Sequence, residues 1–201
     1  IFGFAVLFLS RMEGALYMIN NINDKELQSR LRLQLLRDTV PFLILFLAFL
    51  EHVLVKDGYG VDAAGVISMV PYKYALNLWQ MPMVAVVFLV GVLLVLYGTI
   101  RSIISKKFIR GIWYVGFGTT LTVIALFLVA GYNNTAYYPS NADLQSSLYL
   151  GNSCSSYFTL QVMSVVSILV PFVLAYIVYA WHAIDKKSLT KEELKEGGQQ
   201  Y

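Results

Sequence analysis

The sequence predicts an all-α fold, a polytopic bundle of transmembrane helices with four complete spans plus the end of a preceding one. Three observations predict it. Five long apolar runs, at residues 1–20, 39–56, 77–104, 110–131 and 159–184, fill most of the chain. Most of them reach the roughly 20 residues needed to cross a hydrocarbon core about 30 Å thick. Apolar residues make up 58% of the chain against 13% charged, with a mean hydropathy of +0.64, far from the make-up of a water-soluble domain. The basic residues sit in alternate connections and the tail, a pattern that fits membrane orientation and argues against nucleic acid as a partner.

The first run is apolar from Ile1 to Leu9. It has neither the basic start nor the small-residue cleavage site of a signal peptide. It reads as the end of a truncated transmembrane helix, residues 1–20, and the chain as the C-terminal part of a longer protein. The connector 21–38 carries Lys25, Arg30, Arg32 and Arg37, with Leu27, Leu31, Leu35 and Leu36 between them at helical spacing. An amphipathic helix is therefore expected to lead straight into the second span, with Pro41 near its start. A four-helix transmembrane bundle is expected over 39–184 and a tail over 185–201.

Threading follows from charge. The connection 101–110 carries Arg101, Lys106, Lys107 and Arg110, and the tail carries Lys186, Lys187, Lys191 and Lys195. Lys56 and Lys73 are the basic residues around 57–76, and 132–158 has none. This alternation places 21–38, 101–110 and the tail in the cytoplasm, and 57–76 and 132–158 outside. Trp79 opens the third run, Trp113 opens the fourth and Trp181 closes the fifth, so all three are candidate interfacial anchors; simple packing against a neighbour is the rival reading for each. Pro82 falls in the first turns of the third span, where proline is tolerated. Pro171 falls mid-span and predicts a kink, or, in a transporter, a break at a substrate site. Gly116 and Gly118, with Thr119, Thr120 and Thr122, give the fourth span a small-residue face. Thr190-Lys191-Glu192-Glu193 is a capping-box pattern and predicts a short surface helix over 191–196.

Little in the chain could carry chemistry alone. Arg11 and Glu13 are the clearly ionisable residues inside an apolar run, and being two apart on a helix they cannot pair with each other. Three readings stand for them: snorkelling near the cytoplasmic face, a structural ion pair with another helix or subunit, or proton or quinone handling. His52 and His182 lie at opposite membrane faces, so they cannot jointly hold one haem. No cluster with metal-ligand spacing, phosphate-binding loop or nucleophile–base pattern is present. The lone Cys154 cannot form an intrachain disulfide.

The C-terminal third carries a resemblance. It reads Pro139-Ser140-Asn141-Ala142-Asp143-Leu144-Gln145-Ser146-Ser147-Leu148, then Ser155-Ser156-Tyr157-Phe158-Thr159-Leu160-Gln161. Val170-Pro171-Phe172-Val173-Leu174-Ala175-Tyr176 follows, then Tyr179-Ala180-Trp181 and a Leu189-Thr190-Lys191-Glu192-Glu193 tail. This resembles subunit II of the cytochrome bd quinol oxidases, and Glu13-Gly14-Ala15-Leu16-Tyr17 resembles the end of that family's fourth helix. By the resemblance the chain is the end of helix four plus helices five to eight. The resemblance implies an enzyme complex that oxidises a membrane quinol and reduces oxygen to water, generating proton motive force in a bacterial or archaeal cytoplasmic membrane. It implies haems b and d in a partner, subunit I, and none bound by this chain; a structural quinone or lipid and a small accessory subunit stay open. Glu13 stands where relatives often carry a neutral polar residue or His, so a shared proton role does not carry over to it. Half of a secondary transporter and a membrane scaffold or assembly protein are the alternative functions.

Overall fold

The computed structural model describes residues 1–184; the tail 185–201, with its capping-box pattern, lies outside the described residues. Among the described residues, five helical segments are long and apolar enough to cross a membrane: Phe2–Asn21, Lys25–Val55, Pro82–Ile104, Gly111–Gly131 and Tyr157–Ala183. The all-α polytopic bundle is therefore the fold.

Helix α1 (Phe2–Asn21) and helix α2 (Lys25–Val55) form an antiparallel pair. The turn between them is closed from both sides. The Asp24 carboxylate accepts from the Glu26 and Leu27 amides at the start of α2, which satisfies two of the N–H groups a helix start leaves open. The Gln28 amide donates back to the carbonyls of Ile19 and Ile22 at 3.3 and 2.8 Å. Helix α2 is continuous through connector and second span, so residues 38 and 39 are consecutive positions within one helix. Pro41 lies inside it without breaking it.

The third apolar run divides. Helix α3 (Lys73–Gln80) ends at Met81, and helix α4 (Pro82–Ile104) begins with Pro82 as its first residue. A residue before proline is pushed out of helical geometry, while the proline ring suits a helix start. Trp79 thus sits on α3 rather than on the spanning helix and is exposed.

Helix α4 packs along helix α5 (Gly111–Gly131) through two reciprocal glycine contacts. A Cβ on Gly91 would meet the Gly118 carbonyl oxygen at 2.8 Å, and one on Gly118 would meet the Gly91 oxygen at 2.6 Å. One turn-pair further on, Cβ atoms on Gly98 or Gly111 would each meet the other's carbonyl oxygen at 3.1 Å. Such close approach maximises dispersion contact, the main driving force for helix association in lipid. Only part of the small-residue face expected on this span takes part. Gly118 and Thr122 face α4, whereas Gly116 has nothing within 4 Å of an added Cβ and Thr120 is exposed.

The connections 57–76 and 132–158 hold regular structure that the sequence did not announce. Strands β1 (Gly58–Val61) and β2 (Ile67–Val70) form an antiparallel hairpin, and β3 (Ala136–Tyr138) pairs with β4 (Leu148–Tyr149). A bridge between Gly60 and Thr135 joins the two, over a small core of Val61, Ile67 and Ala136. The Gln145 side chain pairs with both the N–H and the carbonyl of Ile67 at 2.9 Å, acting as an extra strand residue.

The fifth span is helix α7 (Tyr157–Ser167) and helix α8 (Val170–Ile184), interrupted at Ile168–Leu169 just before Pro171; a one-turn helix α6 (Leu150–Ser153) precedes it. None of this span's apolar window is buried against the rest of the chain, whereas the other four bury 17–28% of theirs.

Gly118→Leu is expected to part α4 from α5, because the obstacle is backbone and cannot move aside. It should cost more than the ~1–3 kcal/mol typical of overpacked cores, while Gly116→Ala should stay within ~0.5 kcal/mol of wild type. Thermal unfolding in mild detergent, followed by circular dichroism, distinguishes the two.

Candidate functional site: paired charges within the helix bundle

The buried stripe of α2 reads Arg32, Leu35, Asp38, Thr39 and Phe42. These positions recur at helical spacing, so they share one face. Two of the five are charged, and each is matched by a different neighbour.

Asp38 is matched by Arg11 of α1. Arg11 Nε donates to Asp38 Oδ2 at 3.2 Å, and Nη2 stands 3.2 Å from Oδ1. Gln34, one turn back on α2, donates its side-chain amide to the same carboxylate at 3.0 Å. The Asp38 side chain is 4% exposed and that of Arg11 53%. The carboxylate is thus enclosed by donors, while the guanidinium reaches the outer face of the pair. Arg11 lies ten residues from the end of α1, about 15 Å along the axis. Of the three readings left open for Arg11, the geometry provides an ion pair within the chain. Glu13 points elsewhere, is half-buried and has no hydrogen-bond or ion-pair partner among the described residues.

Arg32 is matched by backbone. Its guanidinium donates to the carbonyls of Ser102, Ser105, Lys106 and Phe108. They belong to the last turn of α4, its cap and the turn that follows, where a helix end leaves carbonyls without partners inside the helix. One buried side chain of α2 therefore fastens the turn between α4 and α5. The Ser102 hydroxyl donates to Gly98 within the same region at 2.6 Å.

A neutral network performs the same task at the other end of the bundle. Asn77 of α3 is fully buried. It donates to the carbonyl of Val129 at 2.9 Å and to Thr135 Oγ1 at 2.8 Å, and accepts from Asn133 at 3.1 Å. Asn133 also donates to Gln80 at 2.6 Å, and Lys73 Nζ donates to the Asn133 carbonyl at 3.1 Å. Asn133 and Asn134 both adopt left-handed backbone, which asparagine tolerates better than most residues. Burial pushes the Lys73 ammonium below its usual range, and burial followed by the nearby Tyr59 pushes the Tyr74 hydroxyl above its own.

Between α1, α2, α4 and α5 lies an apolar cavity of about 70 Å³, lined by residues such as Phe2, Leu9, Phe42 and Val95. Thr119 and Thr122 are its polar neighbours, and Thr119 Oγ1 is buried without a hydrogen-bond partner. The histidines are elsewhere. His52 is exposed in the last turn of α2 and His182 in the last turn of α8. Cys154 is exposed, and its thiol donates to the Leu150 carbonyl. The indoles of Trp79, Trp113 and Trp181 are all exposed. Of the functional positions, Asp38, Arg32 and Asn77 escaped sequence reasoning; the shared register of Arg32 and Asp38 with Leu35 and Phe42 was the signal for the first two.

A multi-pass helical bundle in which the two buried charges of α2 are matched, and with one whole span left uncovered, defines a membrane subunit built to pack among other helices. The family model of cytochrome bd terminal oxidase subunit II matches residues 1–184, and the chain belongs to that family. No curated protein matches it at a significant level. The chain is thus a multi-pass membrane protein and a subunit of a terminal oxidase complex, an oxidoreductase assembly that includes a partner subunit I and haem. Neither histidine borders the apolar cavity.

Arg11→Leu is expected to be more damaging than Asp38→Leu, because it strands an enclosed carboxylate. The loss should be of the order of ~3–5 kcal/mol, and the double Arg11→Leu/Asp38→Leu variant should recover part of it. Folded yield and melting midpoint of the three variants check this. Asn77→Leu should lower stability by ~1–3 kcal/mol for each group left unsatisfied, read by the same melt.

Proposed function

We propose that this chain is the non-haem subunit of a bd-type quinol oxidase, supporting a haem-bearing subunit I. In that assembly a quinol dissolved in the membrane is oxidised, oxygen is reduced to water, and proton motive force results. The chain itself supplies packing rather than reacting groups. The family match over residues 1–184 carries this reading. Two structural features support it. The fifth span buries none of its window within the chain, leaving its apolar circumference to lipid and partner helices. The charges that enter the bundle at Arg32 and Asp38 are spent on holding helices together.

In this reading Arg11 and Asp38 are a helix clamp, and Glu13 meets a group on a neighbouring subunit. Pro171 sets the break in the fifth span, and Trp79, Trp113 and Trp181 are interfacial anchors. The basic connections, Lys25 to Arg37 and Arg101 to Arg110, face the cytoplasm of a bacterial or archaeal cell, together with the C-terminal tail. Haems b and d belong to subunit I. A structural quinone or lipid and a small accessory subunit are compatible with the exposed apolar surface.

The experiment is purification of the protein from its native membranes in mild detergent, with a reduced-minus-oxidised absorption spectrum of the product. Co-purification of a larger haem-bearing chain with b- and d-type bands is the expected result. A colourless preparation without such a partner, under conditions that preserve membrane complexes, would contradict the proposal.

A further inference from the structure

A second cavity, of about 730 Å³ and with a wall of mixed polar and apolar character, opens where the α1–α2 turn meets the α4–α5 turn. Three lysines are among the residues that line it: Lys25 at the start of α2, and Lys106 and Lys107 from the α4–α5 turn. None of the three is held in an ion pair among the described residues. The acidic residues nearby are committed elsewhere: Asp24 caps α2, and Glu26 pairs with Arg30 at 2.7 Å. Neither lines the cavity. Arg32 also borders it, but its guanidinium is tied to four backbone carbonyls, so it lends positive potential and a fixed wall. Ile22 and Ile109 add apolar surface beside the cations.

We infer that this cavity binds the phosphate headgroup of an anionic phospholipid. The chemistry fits on three counts. Three lysines without an ion pair among the described residues converge on one space that no described carboxylate lines, which is the electrostatic complement of a phosphodiester. The site lies at the ends of membrane-spanning helices, where headgroups stand, and basic pockets between such helices bind anionic lipid. Its wall is mixed rather than wholly polar, suiting a molecule whose charged head adjoins a glycerol and acyl chains. A bound headgroup would tie the α1–α2 turn to the α4–α5 turn, adding to the bonds that Arg32 already makes between α2 and the latter. This inference stands apart from the oxidase reading, since it concerns the chain in any bilayer.

The test uses the protein purified from its native membranes with whatever copurifies, moved into nanodiscs of phosphatidylcholine or phosphatidylglycerol. Wild type should melt at a higher temperature in phosphatidylglycerol, and native mass spectrometry should show an anionic phospholipid retained through exchange into phosphatidylcholine. The triple Lys25→Gln/Lys106→Gln/Lys107→Gln variant should lose the rise and hold the lipid at least about tenfold more weakly. The triple arginine variant should keep both properties, and it guards against a glutamine variant that fails to fold. The inference is overturned if the glutamine variant keeps the rise, if wild type retains no anionic lipid, or if inorganic phosphate added to phosphatidylcholine discs gives the same rise. The last result would assign the cavity to free phosphate.

Discussion

A charged group buried inside a protein must be matched by the protein itself, because no water is there to do it. The arrangement of α1, α2, α4 and α5 depends on how this chain meets that demand. Helix α2 carries two charges on the face that also bears Leu35 and Phe42. Asp38 calls for a cation, and α1 supplies Arg11 at 3.2 Å. Arg32 calls for acceptors, and the end of α4 with the turn after it supplies four backbone carbonyls. The apolar contacts among Met12, Leu16, Leu35, Phe42 and Val95 then fill the space between. Dispersion gives these contacts strength but little direction; the charges set the register of one helix against the next.

Contact between α4 and α5 has a different origin. Gly91 and Gly98 are seven residues apart, and so are Gly111 and Gly118. Seven residues return to nearly the same helix face, so each helix offers a glycine track to the other. Backbones meet closely enough that a methyl group at these sites would collide with carbonyl oxygens. The pair is then pinned at both ends, by Arg32 at one turn and by the Asn77–Asn133–Thr135 network at the other. The two β-hairpins complete the second end, joined through Gly60 and Thr135.

Much of the fold was legible because apolar length is a strong signal. The five spans follow from run length alone, and the continuous α2 follows from leucine spacing across 27–36. Other parts were hidden for physical reasons. Met81 ends a helix because of Pro82, a local effect that hydropathy does not register. The short strands near Tyr59 and Ile67 have too few residues for alternation to stand out, and the bridge that joins their hairpin to the other one reaches from Gly60 to Thr135, 75 positions away. Gly116 looked equivalent to Gly118 in a row of small residues; which of them touches α4 depends on helix rotation, which the seven-residue spacing of the four packed glycines encodes. Arg32 looked like an orientation charge because charge in a connector ordinarily is one. Its burial arises from α4, seventy residues further along the chain.

Membership of the oxidase subunit II family gives these features a common purpose. In its proposed role, bracing a haem-bearing partner, such a subunit needs helices in fixed register and charges that stay put. The proposed role of the Arg11–Asp38 pair as a fixed clamp, and not a proton carrier, is tested most directly by redox-difference infrared spectroscopy of the purified complex, comparing wild type with Asp38→Asn. The clamp predicts no carboxyl band, on reduction or reoxidation, that disappears with Asp38. A protonation band present in wild type and lost in the variant would show that this carboxyl takes up protons during turnover and would contradict the clamp.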